Sequence, residues 1–316
     1  MTLPEKVCLG STDYVFKNQR SLYHGKVRDV YDLGDELLMI TTDRISAFDC
    51  ILPRPIPYKG QVLNQIACYF LDAVRDICPV WLKSSPDPNV SIGIKCNPVP
   101  IELVVRGYLA GHAWRTYKTG QRQICGVTMP DGLNESDRFS NPLVTPTTKA
   151  SAGHDEDISY EEILERKILT KNELDKIYKI SIQLFQRGQE LANKQGLILV
   201  DTKYEFGYHD HDLVLMDEIH TPDSSRYFLS EGYLERQLNG EPQIQLSKEF
   251  VREWLMDHGF QGKEGQLMPH MPDAFVWEIS RRYVDLYEKI TGKQFEKPVL
   301  EDVNARIKRN LINLLD

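Results

Sequence analysis

Neither a GxxxxGK[ST] nor a GxGxxG occurs in the 316 residues, so the chain has no Walker loop and no Rossmann turn. Its six cysteines (Cys8, Cys50, Cys68, Cys78, Cys96, Cys125) form no CxxC and no metal-ligand spacing. They read as reduced thiols, mostly small core residues, of a cytoplasmic chain. No apolar run approaches the roughly 18 residues of a membrane span. The opening Met1–Lys6 lacks an apolar signal core, so neither a membrane partner nor secretion is expected. Positive charge is not in excess: 38 Lys+Arg against 46 Asp+Glu leave a net charge of −8. That disfavours a nucleic-acid surface but allows a local basic pocket for a phosphorylated substrate. No Ser-His-Asp order or Cys-His pairing stands out, nor any internal repeat or low-complexity segment. Covalent catalysis is correspondingly disfavoured.

What is present is an ordinary globular composition, 41% hydrophobic and 27% charged. The length suits two structural units around one cleft, or one large domain. The most informative stretch runs from Leu197 to Arg226. Two apolar runs, Leu197–Val200 and Leu213–Met216, are each followed by acidic residues, with a short polar linker, Tyr208–Asp212. This predicts two strands joined by a turn. Asp201, Lys203, Glu205, Asp217, Glu218, Asp223 and Arg226 would then lie near one another. Carboxylates at strand ends beside Lys and Arg suit a Mg²⁺ ion that holds phosphates. The plain alternative is a solvated hairpin edge studded with charge. The His-Asp-His of the linker invites a zinc reading, but a turn is expected there and turns favour Asp.

Upstream, Gly25–Tyr31 alternates charged and apolar residues, the period of a half-buried strand. Asp32–Asp35 reads as a turn and Glu36–Thr41 as the second strand of a hairpin. Lys26 and Arg28 on one face could cover phosphates, or simply decorate a surface hairpin. Val62, Leu63, Ile66, Ala67, Phe70 and Leu71 then mark an amphipathic core helix. Val99–Tyr108 reads as a buried strand ending in a Gly-containing turn, with a lobe boundary near residues 106–115. Arg106 there is either a structural ion pair or an anion contact. Residues 126–158 read as a long irregular stretch, and such stretches are more often functional than accidental. It offers Thr147, Thr148 and Lys149 as donors for phosphate or carboxylate, and His154–Asp157 as a metal or binding loop, or a solvated acidic one.

Ser159–Glu162 and Thr170–Glu173 match the capping box, and the second opens a long helix ending at Gly196. Ser247 is expected to cap a helix running to Gly259, and Asp273 to begin another. The whole predicts an α+β chain. Cationic groups early, Thr and Lys in the middle and carboxylates late favour phosphoryl transfer with Mg²⁺. Spacing alone leaves the acceptor unspecified.

Seven ordered motifs add a resemblance. Gly25–Tyr31, Asp43–Asp49, Val105–Gly111, Thr145–Lys149, His154–Glu156, Asp201–Gly207 and Asp217–Glu218 with Thr221–Arg226 are similar to the signatures of the SAICAR synthetase family. The C-terminal helices resemble those of its longer, single-function form. The resemblance implies a β-rich kinase-like N-lobe over an ATP-grasp-like α/β C-lobe with extra C-terminal helices. The expected division is 1–114 and 115–316, with ATP between the lobes. It implies a ligase that uses ATP to join L-aspartate to carboxyaminoimidazole ribonucleotide (CAIR), through an acyl phosphate, in purine biosynthesis.

Carried over motif by motif, Lys26 and Arg28 would contact ATP phosphates, and Glu205 and Asp217 would hold Mg²⁺ and nucleotide. Arg106, Asp223 and Arg226 would bind CAIR. Asp201, Lys203 and Ser46 would sit near the reacting groups, and Thr148 and Lys149 beside nucleotide or aspartate. One departure stands out: the family commonly has Ser after the Gly at 111, where the hydroxyl meets the CAIR phosphate, and this chain has His112. ATP, CAIR and L-aspartate are thus the expected partners, with the chain a monomer or homo-oligomer. The competing readings are another ATP-dependent carboxylate–amine ligase, a small-molecule kinase of related fold, or a catalytically silent nucleotide binder. The last would be expected to lack Lys26, Glu205 or Asp217.

Overall fold

The computed structural model describes residues 7–48, 50–149, 156–246, 248–298 and 302–315. In chain order the first elements are β1 (Ser21–His24), β2 (Arg28–Asp32), β3 (Glu36–Thr41), β4 (Ser46–Ala47), β5 (Cys50–Ile51), α1 (Lys59–Ala73), β6 (Leu82–Asp87) and β7 (Val90–Ile94). There follow β8 (Asn97–Tyr108), α2 (Gly111–Lys118), β9 (Gln123–Ile124), β10 (Val127–Thr128), β11 (Arg138–Thr148), α3 (Tyr160–Glu165) and α4 (Lys171–Lys194). The rest are β12 (Leu197–His209), β13 (Asp212–Met216), β14 (Ser225–Leu229), α5 (Tyr233–Asn239), α6 (Glu249–Asp257), α7 (Asp273–Thr291) and α8 (Val303–Asn310). None of the described helices is long and apolar enough to cross a membrane.

The chain divides into two compact units. One comprises residues 1–69, 81–95 and 246–316; the other comprises 70–80 and 96–245. The sequence division at 114 had kept the C-terminal helices with the second lobe; by packing they fall in the first unit. The physical reason is an apolar cluster drawn from both ends of the chain. Leu9, Tyr14, Phe16, Tyr31, Leu38, Ile40 and Val90 pack with Ile307 and Leu311 of the α8 region.

In the first unit an antiparallel sheet runs β1-β2-β3-β7-β6. The expected hairpin is there, with Arg28 opposite Thr41 and Asp32 opposite Leu37. Its phase holds a surprise: the inward positions are Asp29 and Tyr31. Behind this sheet α8 is fastened by a buried fork. Arg306 donates through Nε to Asp87 Oδ2 at 3.0 Å and through Nη2 to Asp87 Oδ1 at 3.1 Å. Nη2 also reaches Asn89 Oδ1 at 2.5 Å, and Asn310 donates to Asp87 at 2.8 Å. The Asp87 side chain is wholly buried. Breaking such a pair strands a charge, so Arg306→Met is expected to cost about 3–5 kcal/mol. Chemical denaturation of the purified variant reads this as a lowered midpoint.

In the second unit the main sheet runs β11-β8-β12-β13, and β14 also pairs with β12. Helix α4 carries Leu174, Ile177, Ile180, Leu184 and Phe185 on its buried side. Both capping boxes form, at Ser159 with Glu162 and at Thr170 with Glu173. The hairpin β12–β13 turns at Asp210 and His211, both left-handed with φ of 47° and 72°. That is the two-residue turn whose twist matches its strands, and it leaves the His-Asp-His as a loop tip. One expectation needs correcting. The stretch read as irregular contains β11, eleven residues long. Its Pro142 and Pro146 pointed away from a strand, but β11 ends the sheet beside β8. Its outer side meets the short stretch 156–158, where the Pro146 carbonyl accepts from the Ile158 amide at 3.2 Å and the missing N–H is tolerated. The expected cap at Ser247 and the loop residues 154–155 lie outside the described residues.

Candidate active site

Strand β12 organises the site. It has β8 along one edge, and β14 followed by β13 along the other. Side chains alternate across a strand, so Asp201, Lys203 and Glu205 share one face. Directly paired residues also share a face. The register therefore sets Arg106 and Glu102 of β8 beside Asp201 and Glu205, and Arg226 of β14 beside Asp201. Six charged groups from three strands thus meet on one side of the sheet.

At one end Lys203 lies between two buried carboxylates. Its ammonium donates to Glu205 Oε1 at 2.6 Å and to Glu102 Oε1 at 2.9 Å. Lys149, just past β11, donates to Glu205 Oε2. Burial opposes charge on Lys203, Glu205 and Glu102, but the outcomes differ. Glu205 faces two ammoniums, which outweigh burial and hold its carboxyl below the usual range. Glu102 has only Lys203, and burial, reinforced by the Glu205 charge, pushes its carboxyl up. Burial works against the charge of Lys203; Glu205, Glu102 and Asp217 outweigh it and raise its pKa. Asp217 therefore lies within electrostatic reach of Lys203. It follows β13 with a left-handed φ of 55°.

At the other end Asp201 is shared by two arginines. Arg106 Nη1 reaches Asp201 Oδ2 at 3.4 Å, and Arg226 Nη1 donates to the same oxygen. Arg106 is further held through Nε by Thr145 Oγ1 at 2.9 Å. The Arg226 guanidinium lies on Gly111, the first residue of α2. A Cβ there would sit 2.3 Å from its Cζ, and the φ of +56° also favours glycine. Two guanidiniums, one carboxylate and a helix N-terminus leave a positive surplus suited to a phosphate. His112, in the first turn of α2, bonds through Nε2 to Asp157 Oδ2 at 2.9 Å.

The segment from Asp217 to Arg226 is pinned from below. His220 is wholly buried, left-handed with φ of 57°, and bonded through Nε2 to the Tyr204 hydroxyl at 2.6 Å. Tyr227 donates to its carbonyl at 2.6 Å. Burial pushes the imidazole pKa down to about 3, so it stays neutral. Helix α4 has Gly188 where the ring presses in, since a Cβ would lie 2.5 Å from His220 Cε1. Asp223 is half-buried between Thr221 and Ser225, which bonds to Thr202 Oγ1 at 2.7 Å.

Of the residues singled out from sequence, Lys149, Lys203, Glu205 and Asp217 come together, as do Arg106, Asp201 and Arg226. Thr148 pairs with Ile101, which puts its side chain on the opposite face from Thr147 and Glu102. Its amide donates to the Glu156 carbonyl at 2.8 Å. Lys26, Arg28 and Ser46 belong to the first unit. Lys26 is exposed in the β1–β2 turn, Arg28 is half-buried at the start of β2, and Ser46 pairs with Ile51. Sequence reasoning missed Glu102, Thr145 and His220 as site residues, while Asp157 closes the loop that it offered as a candidate. Only Glu102 carried a signal, as the one acid inside an otherwise apolar strand.

A mixed α+β chain that sets lysines among buried carboxylates, and two arginines around one aspartate, is equipped to handle anionic substrates. The chain belongs to the SAICAR synthetase family, whose model matches residues 21–268. It is 59% identical to the phosphoribosylaminoimidazole-succinocarboxamide synthase of Bacteroides thetaiotaomicron, over 97% of this chain and 98% of that one. A SAICAR synthase from Saccharomyces cerevisiae, solved in complex with SAICAR, aligns with a TM-score of 0.76 at 30% identity. The alignment covers 88% of this chain and 96% of that one. A type-2 SAICAR synthetase in complex with ADP aligns at 0.66 and 25% identity, covering 88% and 100%.

Proposed function

We infer that the protein is a phosphoribosylaminoimidazole-succinocarboxamide synthase: it uses ATP to join L-aspartate to the carboxylate of CAIR, giving SAICAR, ADP and phosphate in purine biosynthesis. Family membership over nearly the whole chain carries this reading. The finer picture is our own. The first unit acts as a kinase-like lobe whose Lys26 and Arg28 meet nucleotide phosphates, with Ser46 near the reacting groups. The second is ATP-grasp-like and holds the CAIR phosphate at Arg106, Arg226 and His112, and its ribose at Asp223. Thr148 borders the nucleotide or aspartate.

A CAIR carboxylate oxygen attacks the γ-phosphorus and ADP leaves, so an acyl phosphate forms. The aspartate amine then attacks the acyl carbon, loses a proton, and phosphate departs. A carboxylate is a poor electrophile, and the transferred phosphoryl group supplies the missing leaving group. Lys203 sits where it would offset charge on the moving phosphoryl oxygens from a fixed position that needs no reorganisation, and Lys149 would join it on leaving Glu205. Asp201 keeps both arginines aimed at one anion.

Mg²⁺ needs a fit test. Among the described residues no group of three His, Cys, Asp or Glu side chains stands ready as a cage. Mg²⁺ held with a nucleotide needs only one or two carboxylates, the rest of its shell being phosphate oxygens and water. Glu205, ionised, and Asp217, just past the adjoining strand, fit that role once Lys149 transfers from Glu205 to a phosphate. The ion would supply charge neutralisation on the phosphates.

The test is ADP release by purified protein given ATP, Mg²⁺, CAIR and aspartate, with ¹⁸O in the CAIR carboxylate. ADP formation that depends on aspartate, with ¹⁸O in the released phosphate, is the expected result. ADP made equally without aspartate overturns the ligase reading; phosphate without label overturns the acyl phosphate.

A further inference from the structure

Arg44 follows β3, has no part in the cluster on β12, and directs its donors at the Gly25–Lys26 turn, the Gly10 carbonyl and Asp29. Through Nη2 it donates to the Gly25 carbonyl at 2.8 Å, through Nε to the Lys26 carbonyl at 3.4 Å, and through Nη1 to the Gly10 carbonyl at 2.7 Å. Nη2 also reaches Asp29 Oδ1 at 2.7 Å. Next door, Thr42 donates to the Val27 carbonyl through both its amide, at 2.9 Å, and its hydroxyl, at 2.8 Å. Three successive carbonyls, at residues 25, 26 and 27, are thereby drawn toward one side of the turn.

In a trans peptide the N–H points opposite to the C=O. Drawing those carbonyls inward aims the amides that follow them the other way, together with the side chain of Lys26, which is exposed. A run of amides facing one way is an anion-binding concavity. The fork itself is held still. The Asp29 side chain is wholly buried, and its Oδ2 accepts from the Thr12 amide at 2.6 Å and the Thr12 hydroxyl at 2.9 Å. His24 Nδ1 bonds to Oδ1 at 2.9 Å. Burial works against the Asp29 charge; Arg44, His24 and Thr12 outweigh it. A lysine cannot copy this, because one ammonium cannot span three carbonyls and a carboxylate in the fixed plane of a guanidinium.

We propose that Arg44 is a positioning residue for ATP: it sets the peptide planes of the Gly25–Val27 turn so that this turn and Lys26 grip the nucleotide phosphates. The proposal rests on the reading that Lys26 and Arg28 meet those phosphates, and it concerns phosphate grip alone, neither adenine recognition nor the chemical step.

The experiment compares the wild type with Arg44→Lys and Arg44→Met in the full chain, by steady-state kinetics and by inhibition with ADP and with adenosine. The Lys variant keeps the charge that balances Asp29, and thermal melting confirms its fold. In Arg44→Lys, KM for ATP and the inhibition constant of ADP are expected to rise by about tenfold or more. KM for CAIR and for aspartate, kcat, and inhibition by adenosine are expected to stay within about threefold. Methylguanidine is expected to recover part of the ADP affinity of Arg44→Met. An unchanged ADP constant, or equal losses for ADP and adenosine, overturns the proposal. A wild type that ADP does not inhibit overturns the nucleotide reading itself, and with it the proposal.

Discussion

Replacing Lys203 with Met is expected to cut turnover by about three orders of magnitude while the chain stays folded. Its ammonium touches both Glu102 and Glu205, at 2.9 and 2.6 Å. With it gone, two carboxylates face each other directly across β8 and β12. Both cannot remain ionised there, so Glu102, already pushed up by burial and by Glu205, holds a proton to higher pH. This gives the variant a second signature. An acid whose folded pKa is raised binds more protons folded than unfolded. Its stabilisation is full below the unfolded pKa and is lost as pH rises through the folded one. Lys203→Met is therefore expected to melt at a higher temperature at about pH 5.5 than at about pH 8, by a wider margin than the wild type. Melting curves at the two pH values, with single-turnover ADP formation, check both statements. Turnover within about tenfold of wild type would remove Lys203 from the reacting groups.

Asp201→Ala is expected to be the most destabilising change in the site. Arg106 and Arg226 share Asp201 Oδ2, and the Arg106 side chain is only 6% exposed. Removing the carboxylate leaves two guanidiniums facing one another in a nearly dry place, at a cost of about 3–5 kcal/mol. For a chain of this size that lowers the melting temperature by on the order of 10 °C. Inorganic phosphate is expected to restore more of the loss in Asp201→Ala than it adds to the wild type, because an anion seated between the arginines replaces the missing charge. Equal stabilisation of the two proteins would show that no anion is held there.

Local chemistry made much of the fold legible. Thr170 and Glu173 announce the start of α4, and the acidic turn after Leu197–Tyr208 announces the β12–β13 hairpin. Where a neighbour decides, sequence reading falters. Pro142 and Pro146 read as loop until β11 proves to be an edge strand. Asp29 reads only as one more charge in an alternating strand until Arg44, fifteen residues on, offsets its burial. Asp201, Lys203 and Glu205 lie at the period of a strand and were recognisable as a set. Glu102 was not, because the lysine that gives it meaning is 101 residues away. Arg106 was open between structural pair and anion contact, and both readings fit the one geometry: it is paired with Asp201 and still belongs to a cationic surplus.

The fastening of α8 has a consequence for the order in which the chain is made. The cluster around Tyr31 and Phe16 is finished by Ile307 and Leu311, and the Lys17 amide bonds to the Leu314 carbonyl at 3.0 Å. The second unit draws nearly all its residues from 96 to 245 and has its strands in hand well before synthesis ends. The first unit is begun earliest but closes last, when α8 leaves the ribosome and Arg306 meets Asp87. Until then its sheet carries an apolar face that waits on residues still inside the exit tunnel, the stage at which nascent chains are most prone to aggregate.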